Sequence, residues 1–174
     1  MLGYKAAKSG DTRVLITLEI PEDALTNMAR SSVVIRETAK HRTNRAKVLK
    51  IEDEKGVSYP SASSAMFPTK EMTYRMGEMV EEPSYTLNSE DVCGEGIHFF
   101  LSRKVAELYG LNKVQNGFWQ AWHENGRQAA EATFVDGKAQ GTYRSWHPDG
   151  TKLAEMSFVD GIMHSSVYSP WFDK

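Results

Sequence analysis

The feature that most constrains the fold of this chain is a repeat. Gly117-Phe-Trp-Gln-Ala-Trp122-His123-Glu-Asn-Gly126, then Glu131, then Phe134-Val-Asp-Gly137, returns as Gly141-Thr-Tyr-Arg-Ser-Trp146-His147-Pro-Asp-Gly150, then Glu155, then Phe158-Val-Asp-Gly161. The period is about 24 residues with no gap, which places the segment among repeat architectures. Each unit holds two aromatic-bearing runs separated by Asn125-Gly126 or Asp149-Gly150 and ends on Asp136-Gly137 or Asp160-Gly161. Glycine accepts the positive φ of a tight loop, so all four pairs read as hairpin turns. Residues 113–174 are therefore expected to form an antiparallel hairpin sheet. Trp122 and Trp146 are expected at equivalent positions in its buried core.

Residues 1–112 read as a separate domain. Arg13 to Ile20 alternates and is rich in β-branched residues, so it is a strand, and Ala46 to Glu52 is a second. Ala24 to Ala29 reads as a helical turn and Ser32 to Arg36 as a further strand. Glu54-Lys-Gly56 is a turn, and the small polar run after Tyr59 is a loop. Met72 to Met76 and Glu78 to Val80 are short strands broken by Gly77. Ile97 to Leu101 is an apolar strand, followed by a helix with Ser102 as N-cap and Gly110 just past its end. The expected fold class is α+β: a mixed N-terminal domain, then the hairpin repeats.

Charge and cysteine content narrow the function. With 21 basic and 23 acidic residues the net charge is −2 and the pI about 6.2, so nothing global draws the chain to nucleic acid. Cys93 stands alone, which excludes an internal disulfide and fits a reducing compartment. The first eight residues lack the apolar core of a leader, Leu2 stands where myristoylation needs glycine, and no run approaches a membrane span. A cytoplasmic location is expected.

On the residues quoted above, Gly117 to Gly161 resembles the MORN-type repeat, in the variant carrying Trp-His. In the third unit Ser165 replaces the glycine, and the segment through Tyr168-Ser-Pro170-Trp171 reads as a capping strand. Residues 3 to 109 are similar to an N-terminal domain of large DNA viruses and phages. That likeness rests on Gly3-Tyr4-Lys5, Leu18-Glu-Ile-Pro21, His41-Arg-Thr-Asn-Arg-Ala-Lys-Val-Leu49, Tyr74-Arg-Met-Gly-Glu78 and Cys93-Gly-Glu-Gly-Ile-His-Phe-Phe-Leu101. It implies a viral source, in the host cytoplasm or the virion, and carries no activity. Tyr4-Lys5 with Gly96-Ile-His-Phe99 also faintly resembles the pocket of ADP-ribosyl-transfer folds.

Several side chains invite chemistry. Cys93 and His98 suggest a thiol–imidazole pair, although a structural Cys and a core His are the simpler reading. His123 and His147 lack a recurring third ligand, so no metal is expected. Gly94-Glu-Gly96 lacks the lysine and hydroxyl of a phosphate loop. The basic run Lys40 to Lys47 reads as a solvated face, with Arg42 and Arg45 available to a phosphate or an acidic partner. The function expected is a non-enzymatic interaction or scaffold protein that binds a protein partner or self-associates through Ser165, Val167, Tyr168 and Trp171, without a cofactor. The alternative is a small-ligand or nucleotide-like pocket, enzymatic or sequestering, built from Tyr4, Lys5, Arg42, Arg45 and His98.

Overall fold

The computed structural model describes residues 1–174 apart from 65–70, 87, 89, 112 and 169–174, and of Tyr168 only the backbone. In chain order the strands are β1 (Leu2–Ser9), β2 (Thr12–Glu19), β3 (His41–Thr43), β4 (Arg45–Glu52), β5 (Ser61–Ser63), β6 (Thr73–Arg75), β7 (Met79–Glu81) and β8 (Ile97–Phe99). Helix α1 (Arg103–Leu108) follows, then β9 (Gly117–Trp122), β10 (Gln128–Val135), β11 (Lys138–Trp146), β12 (Lys152–Val159) and β13 (Ile162–Tyr168).

The expected α+β class is overturned. The described residues are 50% strand and 4% helix, and their strands form three antiparallel sheets. Ala24 to Ala29 does not wind into a helix because its backbone groups are claimed elsewhere. Leu25 N–H donates to Asn44 Oδ1, Asn27 N–H to the Arg42 carbonyl, and Thr43 Oγ1 to the Leu25 carbonyl. Residues 32–36 form turns rather than a strand. The one helix has its Ser102 cap, bonded to Val105 N–H at 3.4 Å, and Gly110 at φ 77 just beyond its end.

β1 and β2 pair along their whole length, from Leu2↔Glu19 to Ser9↔Thr12, and a six-stranded sheet grows around them in the order β6-β5-β1-β2-β4-β7. Its terminal strands, β6 and β7, are joined by residues 76–78 alone, so the sheet curls until its edges adjoin. The main core fills the curl: Val14, Ile16 and Leu18 of β2 meet Val48, Ile51, Tyr74 and Phe99. β4, expected as a strand from Ala46 to Glu52, does not alternate throughout. A bulge opposite Thr17/Leu18 leaves Leu49 and Lys50 exposed and turns Ile51 inward after Val48. The loop expected after Tyr59 contains β5, whose small residues give no apolar period.

In the repeat sheet, ordered β13-β12-β11-β10-β9, two turns are two-residue loops. Asp136-Gly137 (φ 50 and 72) joins the pair Val135↔Lys138, and Asp160-Gly161 (φ 50 and 80) joins Val159↔Ile162. This is the type I′ geometry that matches strand twist. The other two are longer, spanning 123–127 and 147–151 and each closed by a histidine N–H, to Arg127 O at 2.8 Å and Thr151 O at 2.9 Å. They stack one period apart through His123 Nε2 to the Trp146 carbonyl (2.8 Å) and Asn125 Nδ2 to the Pro148 carbonyl (2.9 Å).

Trp122 and Trp146 take equivalent registers, opposite Gln128 and Lys152, but both are only half-buried. The buried ring is Trp119, which donates to the Leu111 carbonyl at 3.0 Å and meets Phe134 edge-on at 6.4 Å. One period later Tyr143 and Phe158 repeat that contact at 6.5 Å. Trp122 instead packs against Leu15, Phe100, Val105 and Ala106, where the repeat sheet meets the N-terminal sheet.

The loop 123–127 is also seated in residues 30–40. The Asn125 carbonyl accepts from Val34 N–H (2.9 Å) and Ile35 N–H (3.1 Å), the Glu124 carbonyl from Arg30 NH2 (2.6 Å), and the Gly126 carbonyl from Thr38 Oγ1 (2.5 Å). Gly126 and its repeat equivalent Gly150 share φ 91, yet their surroundings differ. A Cβ at Gly126 would lie 2.0 Å from the Ile35 carbonyl oxygen, whereas one at Gly150 would meet the movable end of Arg127. Gly126→Ala is therefore expected to cost roughly 3 kcal/mol or more, and Gly150→Ala about 1 kcal/mol. Equal urea midpoints for the two variants would show that the loop is not held in this seat.

Candidate functional site

The N-terminal sheet and the loop 82–96 enclose a cavity of about 530 Å³. The described residues of this loop, 82–86, 88 and 90–96, have little regular structure, so their carbonyls need partners from elsewhere. Arg42 supplies them. Its guanidinium, fully buried, donates to the carbonyls of Asp91 (Nε, 2.7 Å), Thr86 (3.0 Å), Glu95 (2.8 Å) and Asn88, and it stacks on the Tyr85 ring at 4.5 Å. On the other wall β8 comes down on β1 through the reciprocal bonds of Tyr4 and Phe100, both 2.8 Å. Gly3 permits the approach, since a Cβ there would lie 2.7 Å from the Phe99 ring.

Two ammonium groups face the cavity in different settings. Lys5, from β1, reaches the His98 carbonyl at 3.4 Å and lies over the Tyr74 ring at 5.6 Å. Burial, and secondarily the charge of Lys40, lowers its pKa to about 8. Lys40 meets Cys93 Sγ at 3.4 Å, Glu124 at 3.7 Å and the Tyr109 ring at 5.7 Å. Burial opposes its charge, but Tyr109, Cys93 and Glu124 outweigh that and raise its pKa. Burial, then Lys40 and Lys5, lowers His98 to about 4, so its ring is neutral at physiological pH. Burial and then Glu82 raise Tyr74, which stays a protonated phenol.

Of the five residues proposed from sequence for a pocket, Lys5 and His98 line it. Arg42 stands behind the wall as the group that shapes it. Tyr4 is turned into the cluster of Leu15, Phe100 and Val105, and Arg45 pairs with Asp23. The basic run is not a solvated face: Lys40, His41, Arg42 and Thr43 are all buried. No relay joins Cys93 to His98. The thiol donates to Glu124 Oε1 at 3.0 Å, and His98 Nε2 bonds the Val92 carbonyl at 3.1 Å. Burial and then the Glu124 bond push the thiol pKa up, away from a reactive thiolate. Sequence reasoning missed Tyr74, Lys40, Phe100 and Tyr109 as lining residues, and Glu124, which reaches the rim from the repeat sheet.

The residues proposed for association sit on β13, the edge strand, where Val167 is 71% exposed and Ser165 Oγ meets Ser157 Oγ at 2.8 Å. Pro170 and Trp171 lie outside the described residues. Among the described residues no helix is long and apolar enough to cross a membrane.

The fold and site thus define a nearly all-β protein with a cavity lined by two amines, Lys40 buried and Lys5 half-buried. Residues 1–106 match the model of DUF5758, a family of unknown function, and the chain belongs to that family. No curated protein and no solved structure matches it.

A half-buried amine whose pKa falls from 10.5 to about 8, as that of Lys5 does, costs stability while it is charged. The folded state releases the proton first, so the cost is full below pH 8, shrinks as pH rises from 8 to 10.5 and vanishes above. Lys5→Met is expected to gain on the order of 3 kcal/mol at pH 7. The gain should fade between pH 8 and 10.5 in urea melts, and a variant less stable than the parent at pH 7 would contradict this account.

Proposed function

We propose that this protein binds a small organic anion in the cavity between β1, β8 and the loop 82–96. The observation that carries the reading is the convergence of Lys5, Lys40 and neutral His98 with Tyr74, Phe100 and Tyr109 around one space of about 530 Å³, whose lining also includes Glu82, Asp91 and Glu95. A concave, largely apolar site with a few placed polar groups and perturbed pKa values is the usual form of a ligand pocket. The acidic end of the ligand would face the ammonium groups and its body the aromatic rings. Ligand-observed NMR with a panel of small carboxylates, phosphates and nucleotides tests this. Saturable binding is expected that weakens roughly tenfold or more in Lys5→Met and is unchanged in Lys8→Met, as loss of one charge-assisted contact implies. Absence of any saturable binder, or binding indifferent to Lys5, would refute it.

A second reading, interaction through the repeat sheet, is favoured by β13. Ile162, Met163 and Val167 are 66%, 50% and 71% exposed on a strand with no neighbour on its outer side among the described residues. Such an edge takes another strand, and the resemblance to MORN-type repeats agrees with a surface used for assembly. The occupant proposed is β13 of a second copy, antiparallel to the first. Light scattering should show a concentration-dependent dimer that Val167→Lys dissociates. A monomer at every concentration would rule it out.

A further inference from the structure

We propose that Lys5 is a nucleophilic amine that forms an imine with a carbonyl-bearing anion, an aldehyde acid or 2-oxo acid, held in the cavity. The inference rests on the ligand pocket proposed above and specifies the ligand's chemistry.

The two lysines of the cavity are not equivalent. Lys40 is held among Cys93, Glu124 and Tyr109, contacts that keep it a fixed cation. Lys5 has one long hydrogen bond, 3.4 Å to the His98 carbonyl, and otherwise faces an aromatic ring. Its strand is fixed on one side by the ladder to β2 and on the other by the Tyr4–Phe100 pair, so the half-buried amine keeps its place at the cavity wall. A partly desolvated amine that shares a cavity with a second cation is the arrangement that makes a lysine nucleophilic near neutrality, and the lowered pKa agrees with it. The carboxylate of the ligand would lie toward Lys40 and its carbonyl carbon toward Lys5 Nζ.

The step balances without an added reagent. The neutral amine adds to the carbonyl carbon, forming the C–N bond and a carbinolamine. Loss of the carbonyl oxygen with the two amine protons, as water, leaves the C=N bond. Neither partner is oxidised or reduced.

The test is reductive trapping. The full-length protein is treated near pH 7 with substoichiometric glyoxylate and cyanoborohydride, and the modified lysines are located by peptide mass spectrometry. Lys5 is expected to carry the adduct roughly tenfold or more ahead of the exposed Lys8, Lys47 and Lys50, which lie outside the cavity and have no site to hold the aldehyde acid beside the amine. Lys5→Arg, which keeps a cation but no nucleophile, should drop total labelling to the surface level. Label spread over surface lysines with Lys5 unmodified would overturn the proposal. Binding of glycolate, which has no carbonyl to trap, is measured by NMR alongside. Glycolate binding without Lys5 trapping sinks the imine alone, and loss of both sinks the pocket as well.

Discussion

The structure depends on one buried guanidinium. Arg42 has no exposed surface, and its donors spread over the carbonyls of Thr86, Asn88, Asp91 and Glu95. A charge taken out of water is tolerated when dense, well-aimed dipoles replace its hydration. The loop it organises has little ladder of its own, so the carbonyls gain as much as the cation does. Asn27 completes the arrangement, accepting the Arg42 backbone N–H at 2.8 Å and donating to the Asp91 carbonyl at 3.2 Å. A lysine could not substitute, since a point charge does not span four acceptors as a planar fork does.

The neighbours of Arg42 extend the same logic to the rest of the molecule. Lys40, two residues back, faces the cavity and Glu124 of the repeat sheet. His41 Nδ1 accepts from Arg30 Nη1 (3.4 Å) and its Nε2–H donates to the Arg36 carbonyl (2.8 Å), and Arg30 reaches the Glu124 carbonyl. Three consecutive residues, Lys40 to Arg42, thus join the sheet core, the cavity wall and the first repeat loop. The repeat sheet is consequently not a free appendage: its first loop fills the seat formed by residues 30–40 and contributes Glu124 to the rim.

This explains which parts were legible in the sequence. The hairpin periodicity, the paired Asp-Gly turns, β2 and the capped helix all declare themselves locally, because each is specified by residues within a few positions of one another. The loop seat is not local. Val34 and Ile35 look like strand residues, and only the Asn125 carbonyl, some 90 residues away, turns their N–H groups aside. The basic run misled for a related reason. Charged residues are exposed by default, and the acceptors that bury Arg42 are backbone carbonyls, which every residue has and no motif marks. Trp119, not Trp122, became the buried ring because the sheet's covered face is chosen by what packs beneath it, here Leu108 and Val114. Of the cavity, Lys5 and His98 were accessible to sequence reasoning as unusual polar residues beside apolar ones, whereas Lys40 was hidden in its charged run.

Lys5 is the residue that stability does not explain. Its neighbours in β1 do structural work: Gly3 admits Phe99, Tyr4 bonds Phe100, and Ala6 and Ala7 fill the core. An apolar side chain at position 5 would pack against Tyr74 without the desolvation that lowers the amine's pKa. The eight-pair ladder between β1 and β2 holds the strand in register and so keeps the amine where it is despite that cost. Lys5 thus breaks a local rule within an otherwise consistent strand, and the surrounding structure absorbs the penalty.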